Sequence, residues 1–172
     1  SLLIATGCRL DEICLLSWDN IVTHEEGWRY IDLTSGLVKN VGSRRLVPIP
    51  KKVDAVMPPV GTKLTPKGLV ASDDGRLFDY ALDEDGKAQR AASQAVGRQL
   101  KKIKAERLQV THSLRGNLKD MLRDAGVSKE LNDFLTGHSQ GDVAGNSYGK
   151  GHSIEQRYAA LCLPEHRYIK PY

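Results

Sequence analysis

Long apolar runs are missing from the 172 residues. No stretch reaches the roughly 18 to 20 residues that a membrane span needs, and no basic segment followed by an apolar one marks a leader. Cysteine is scarce: Cys8, Cys14 and Cys162 are odd in number and stand in no metal-ligand spacing. They read as reduced core thiols of a cytoplasmic protein. His112, His138 and His152 form no compact His-x-x-x-His pair and join no Cys pair, so no metal and no cofactor is expected. Internal repeats and low-complexity tracts are also absent. A strong charge of one sign is lacking too, since 25 Lys and Arg against 21 Asp and Glu leave a formal +4. That mild excess suits a nucleic-acid surface but is shared by many proteins that touch none.

What is present is enough chain for one domain with its own core, residues 1–172. The first residue is Ser1 and the chain enters an apolar segment (SLLIATG) at once, so the natural protein is expected to extend further towards its N-terminus, with a partner domain missing here. In RLDEICLLSW, Leu10, Ile13 and Cys14 share a helical face, with Thr6-Gly7 as the turn before it, which puts Arg9 at a helix N-terminus. The pattern then turns β-branched and aromatic in WRYIDLT, GLVKN and SRRLVPIP, which predicts a small antiparallel sheet of three strands. Residues 51–91, broken by Pro and Gly, read as loops and short helices.

The second half reads as helices. The segment at 91–106 places Val96, Leu100 and Ile103 three to four apart with a basic opposite face. In THSLRGNLKDMLRDAG an apolar stripe runs through Leu114, Leu118, Met121 and Leu122, with Thr111 to cap the start and Gly126 to close the end. SKELNDFLTGH follows, capped by Ser128, with Leu131, Phe134 and Leu135 as the buried face and His138 leaving at a loop. A Gly-rich polar stretch leads to Tyr148, and SIEQRYAALCL forms a last helix within a tail at 153–172. The expected class is mainly α with a small three-stranded antiparallel sheet, α+β.

Taken one at a time, Arg9, Lys39, His112, Arg115, His138 and Tyr148 are weak signals. An arginine at a helix start is far more often exposed or ion-paired than a phosphate ligand, and a lone histidine or tyrosine is more often structural. Together they say more. T-G-C-R-L-D-E-I, H-S-L-R and L-T-G-H, followed ten residues after His138 by Tyr148, resemble in order and spacing the motifs of the tyrosine recombinase, or phage integrase, family. The resemblance runs from about Thr6 to Tyr148. It implies the catalytic-domain fold of that family and a site-specific recombinase for integration or excision of a phage or other mobile element. The family's site would map onto Arg9 as the first arginine, Lys39 as the hairpin lysine, His112 and Arg115 as the His-x-x-Arg pair, His138, and Tyr148 as nucleophile. Glu12 matches an acidic position that supports the site. Gly116 and Asn117 depart from the pattern, since the family often carries a second histidine in that turn.

These residue types suit the chemistry the resemblance implies. Attack at phosphorus builds negative charge on the non-bridging oxygens, which the guanidinium groups of Arg9 and Arg115 would bind. A phenol near pKa 10 needs a base or a cationic site to become a nucleophile, with His112 as base and His138 as phosphate donor. The departing 5′ oxygen needs a proton, for which Lys39 on its hairpin is the choice, with Arg44 and Arg45 close behind it in sequence. Arg44, Arg45, Lys51 and Lys52, and again Arg98, Lys101, Lys102 and Lys104, form two basic clusters. From these, Arg44, Arg45, Lys101 and Lys102 are expected on the DNA backbone. Partners implied are double-stranded DNA at attachment sites and a homotetramer on it, monomeric or weakly associating as the isolated domain, in a nucleoid-associated, cytoplasmic setting. Other readings stay open: a relative that binds DNA without cutting, a type IB topoisomerase, or an RNA-cleaving hydrolase using the histidines and lysine with Tyr148 incidental.

Overall fold

The structure, a computed structural model, describes residues 1–35, 44–102, 111–136 and 152–166, the side chains of residues 111 and 112 excepted. Two five-residue helices open the chain, α1 (Leu2–Thr6) and α2 (Leu10–Cys14). Helices this short do not persist alone, because nucleation is unfavourable and few bonds follow it. Burial of Leu2 and Ala5 in α1 and of Ile13 and Cys14 in α2 holds them. Between them Gly7 takes φ +64, the left-handed conformation that glycine tolerates best. A side chain there would also put its Cβ 2.9 Å from Leu118 Cδ2 and 3.2 Å from Thr136 Cγ2. Gly7→Ala is therefore expected to destabilise the protein by about 1 to 3 kcal/mol, read from urea unfolding at pH 7.

A three-stranded antiparallel sheet follows, in the order β1 (Ile21–Thr23), β2 (Arg29–Asp32), β3 (Leu46–Pro48). Its register pairs Ile21 with Ile31, and Ile31 with Val47. Among the described residues β2 and β3 answer to WRYIDLT and SRRLVPIP, and β1 is a strand the sequence reading did not include. Ile21–Thr23 pairs with β2, while GLVKN, residues 36–40, lies outside the described residues. Residues 51–91 correct the reading of loops and short helices. They contain the short helix α3 (Lys51–Asp54) but also a two-stranded hairpin, β4 (Thr62–Thr65) with β5 (Gly68–Ala71).

The helical half forms as the apolar spacing predicts: α4 (Gln89–Lys102), α5 (Thr111–Asp124), α6 (Lys129–Leu135) and α7 (Ile154–Cys162). Leu118 and Leu122, four apart on α5, are fully buried against Leu135 of α6 and the first helix. Burial of such a leucine contributes about 1.5 to 3 kcal/mol. Gly126 at φ +78 ends α5, and the Ser128 hydroxyl accepts the Leu131 N–H at 3.3 Å to start α6. Phe134 departs from its expected buried place. It is 37% exposed, and the Arg157 guanidinium lies over its ring at 4.4 Å.

The tail helix α7 folds onto its own chain. Ala160 and Leu161 are buried in the core, Arg157 donates to the Leu46 carbonyl on β3 at 3.3 Å, and Tyr158 stacks on Trp28 with ring centroids 4.3 Å apart. His24 stacks on Trp28 as well, at 4.0 Å, and its Nε2 lies 3.2 Å from Glu155 of α7. Among the described residues no helix is long and apolar enough to cross a membrane.

Candidate active site

Arg9 is the N-cap of α2, with extended φ −72 and ψ 156 after the left-handed turn at Gly7. Glu12, one turn on, reaches back: its Oε2 accepts the Arg9 backbone N–H at 2.6 Å, and its Oε1 accepts from Arg9 Nη1 at 3.3 Å. The carboxylate thus holds the start of the helix through the main chain and touches the guanidinium only loosely. About a third of the Arg9 side chain, 33%, is exposed.

Glu12 itself is 1% exposed and carries a second cation. Arg45 donates from Nη1 to Oε1 at 3.0 Å and from Nη2 to Oε2 at 2.9 Å, a two-pronged pairing of guanidinium and carboxylate. Burial works to raise the pKa of Glu12. The hydrogen bonds and charge of Arg45, with the Arg9 N–H and charge, outweigh it, so the carboxyl lies below its ordinary value. Arg45 is only 4% exposed through its side chain, and Nη2 also lies 3.8 Å from the Cys8 sulfur. The expectation that Arg45 lies on the DNA backbone does not hold, because its guanidinium is inside the domain. The signal was in the strand: Arg45, Val47 and Ile49 alternate, all three buried, while Arg44 faces solvent. The Arg45 carbonyl accepts the Leu33 N–H at 3.0 Å, which continues the sheet pairing past β3 and fixes that direction.

Arg115 arrives from the second turn of α5, whose stripe of Leu118 and Leu122 is packed into the core. It is 6% exposed, and its Nε is buried with no hydrogen-bond partner among the described residues. Burial pulls its pKa down first, then the charges of Arg9 and Arg45, with the Glu12 carboxylate acting the other way. A guanidinium stays protonated under all of this. The sheet edge, α2 and α5 therefore bring three arginines and one carboxylate together. Burial also pushes the neighbouring Cys8 thiol up, so it adds no negative charge at neutral pH.

Such an arrangement has one evident chemical capacity. Two like charges acting on a third, desolvated one raise its energy, and an anion placed between Arg9 and Arg115 would lower it. A phosphate diester, whose two non-bridging oxygens share one negative charge, can accept paired N–H bonds from guanidinium forks.

The remaining sequence expectations fall in three groups. Lys39, His138 and Tyr148 lie outside the described residues, as does the His112 side chain, although its backbone belongs to α5. Arg44, Lys101 and Lys102 are exposed, the last two at the C-terminal end of α4. Tyr158, a rival nucleophile by type, is packed against Trp28, and burial with the adjacent Cys162 pushes its hydroxyl up to about 12. That is opposite to what a nucleophilic phenol needs. Among the described residues no group of three His, Cys, Asp or Glu side chains is arranged to hold a metal ion.

No family model matches the chain, and no curated protein matches it in sequence. Among solved structures it is similar to the Tn1549 transposon integrase in complex with transposon right end DNA, at 21% identity and a TM-score of 0.51, over 93% of this chain and 56% of that one. Two structures of the same integrase with circular intermediate DNA match at 22% identity and TM-scores of 0.49, over 81% of this chain and 50% and 49% of theirs. The chain spans about half the length of the solved chains it matches. The likeness is one of fold: helices with small antiparallel sheets, arranged as in an integrase.

Proposed function

We propose that the chain is the catalytic domain of a tyrosine-type DNA recombinase, an integrase that breaks and rejoins strands for integration or excision of a mobile element. The observation that carries this reading is Arg115, buried beside Arg9 and Arg45 with its Nε unpartnered among the described residues. The integrase-like fold and the order of motifs from Thr6 to Tyr148 support it.

In this reading Arg9 and Arg115 bind the non-bridging oxygens of the scissile phosphate and bind them more tightly as charge grows during attack. The Tyr148 oxygen forms the new bond to phosphorus while the bond to the 5′ oxygen breaks. His112 accepts the phenol proton, Lys39 gives a proton to the departing 5′ oxygen, and His138 donates to the phosphate. The 3′-phosphotyrosyl link keeps the bond energy, so a 5′ hydroxyl of a second strand reverses the step and no nucleotide triphosphate is consumed. Arg44, Lys101 and Lys102, all exposed, serve the DNA backbone, and four copies assemble on the paired sites.

The test is covalent capture: the full-length protein is incubated, with EDTA present, on a nicked duplex carrying its element's junction and run on a denaturing gel. A protease-sensitive protein–DNA band is expected. Binding to a verified site without that band would mean a DNA-binding relative that does not cut. Lys39→Ala should slow cleavage by about 10²-fold or more on the natural linkage and far less on a 5′-phosphorothiolate, whose leaving group needs no proton. Equal defects on both substrates would remove Lys39 from the general-acid role.

A further inference from the structure

We propose that Arg45 is a positioning residue of the phosphate site, setting the Arg9 guanidinium through Glu12; this rests on the recombinase reading above. A carboxylate one turn after a phosphate-binding arginine is a hazard. Its full charge would compete with the phosphate for the same guanidinium. Arg45 divides that charge, since it takes one lone pair of each Glu12 oxygen at 3.0 and 2.9 Å. The contact from Glu12 to Arg9 Nη1 is the longest of the set at 3.3 Å, whereas the contact to the Arg9 backbone N–H is the shortest at 2.6 Å. Glu12 therefore fixes where Arg9 leaves the main chain and pulls weakly on its side chain.

The geometry of Arg45 suits that task better than a role in stability alone. A buried ion pair contributes little net stability relative to apolar residues of similar size, because desolvation of both charges offsets their attraction. Here the pair joins three elements that the site needs in register. Arg45 sits at the edge of β3 through its own carbonyl bond to Leu33, Glu12 lies on α2, and the charge of Arg45 also acts on Arg115 of α5. A lysine at this position would keep the charge and lose the fork, so it could not hold both oxygens of Glu12 in one plane.

The experiment compares wild type, Arg45→Lys, and the double variant Arg45→Met/Glu12→Leu in the full-length protein. Each is assayed for thermal stability, affinity for the junction DNA, and rate of covalent adduct formation at saturating protein. Arg45→Lys should form the adduct about 10- to 100-fold more slowly, as expected when a reacting group is misplaced by about an ångström, with affinity changed much less. The double variant should melt close to wild type and still form the adduct at least about 10-fold more slowly. A double variant that melts normally and reacts at the wild-type rate overturns the positioning role and leaves the recombinase reading standing. A loss of affinity in Arg45→Lys equal to its loss of rate overturns it also, in favour of a DNA contact. Absence of any adduct with wild-type protein on a verified site removes the recombinase reading, and this inference with it.

Discussion

Arg115→Ala is expected to lower strand cleavage by about 10² to 10³-fold, the usual effect of removing one preorganised donor from a developing oxyanion. DNA binding should fall only modestly, with the dependence of log affinity on log salt reduced by about 1, as for one lost phosphate contact. A further outcome separates a functional arginine from a structural one. Arg115 is 6% exposed, and burial and two neighbouring guanidinium groups lower its pKa. Its charge is therefore a burden on the folded state. Arg115→Met, with similar length and no charge, should melt at or above wild type while cleavage is lost, as in other sites where function and stability oppose each other. A melting temperature well below wild type would make Arg115 part of the scaffold rather than a phosphate ligand.

Glu12→Gln should act in the opposite way. It leaves Arg45, 4% exposed through its side chain, facing a neutral amide in the interior. Breaking one side of a buried ion pair costs about 3 to 5 kcal/mol, a large share of the 5 to 15 kcal/mol that holds a typical domain. The pH dependence has a definite sign. Arg45 and Arg9 hold the Glu12 carboxyl below its ordinary value despite its burial, so the unfolded chain takes up the proton first. The stabilisation is fully present above the unfolded carboxylate value and is lost as pH falls through the folded one. Urea unfolding of wild type should therefore weaken across that acid range, and the difference between wild type and Glu12→Gln should shrink with it. A constant difference from neutral pH into acid would assign the effect to packing instead.

The local placement of Arg9 and Arg115 was legible in the sequence because both positions coincide with strong local signals. Arg9 follows the Thr6-Gly7 turn that ends α1, and Arg115 sits three residues before Leu118 on a stripe with clear helical spacing. Arg45 was misjudged for a physical reason. Two adjacent arginines read as a surface cluster by composition, while strand alternation sends one of them inward beside Val47 and Ile49. The β4–β5 hairpin was missed because all four residues of β5 are exposed, so it carries no buried-face alternation, and Pro66 and Gly68 resemble an irregular loop. β1 has three residues, too few for any period to show. Phe134 has the spacing of a core residue, yet its ring serves as the seat of the Arg157 guanidinium across from α7, a long-range pairing that helical periodicity does not encode.

The most direct test of the account is to identify the attacking atom. Wild type and Tyr148→Phe are incubated in full-length form with the nicked junction duplex, the covalent product is digested, and the peptide bearing the nucleotide is mapped. The account predicts a single 3′-phosphotyrosyl adduct on Tyr148 that vanishes in the phenylalanine variant. An adduct on another residue, Tyr158 among them, or one that persists in Tyr148→Phe, would contradict it.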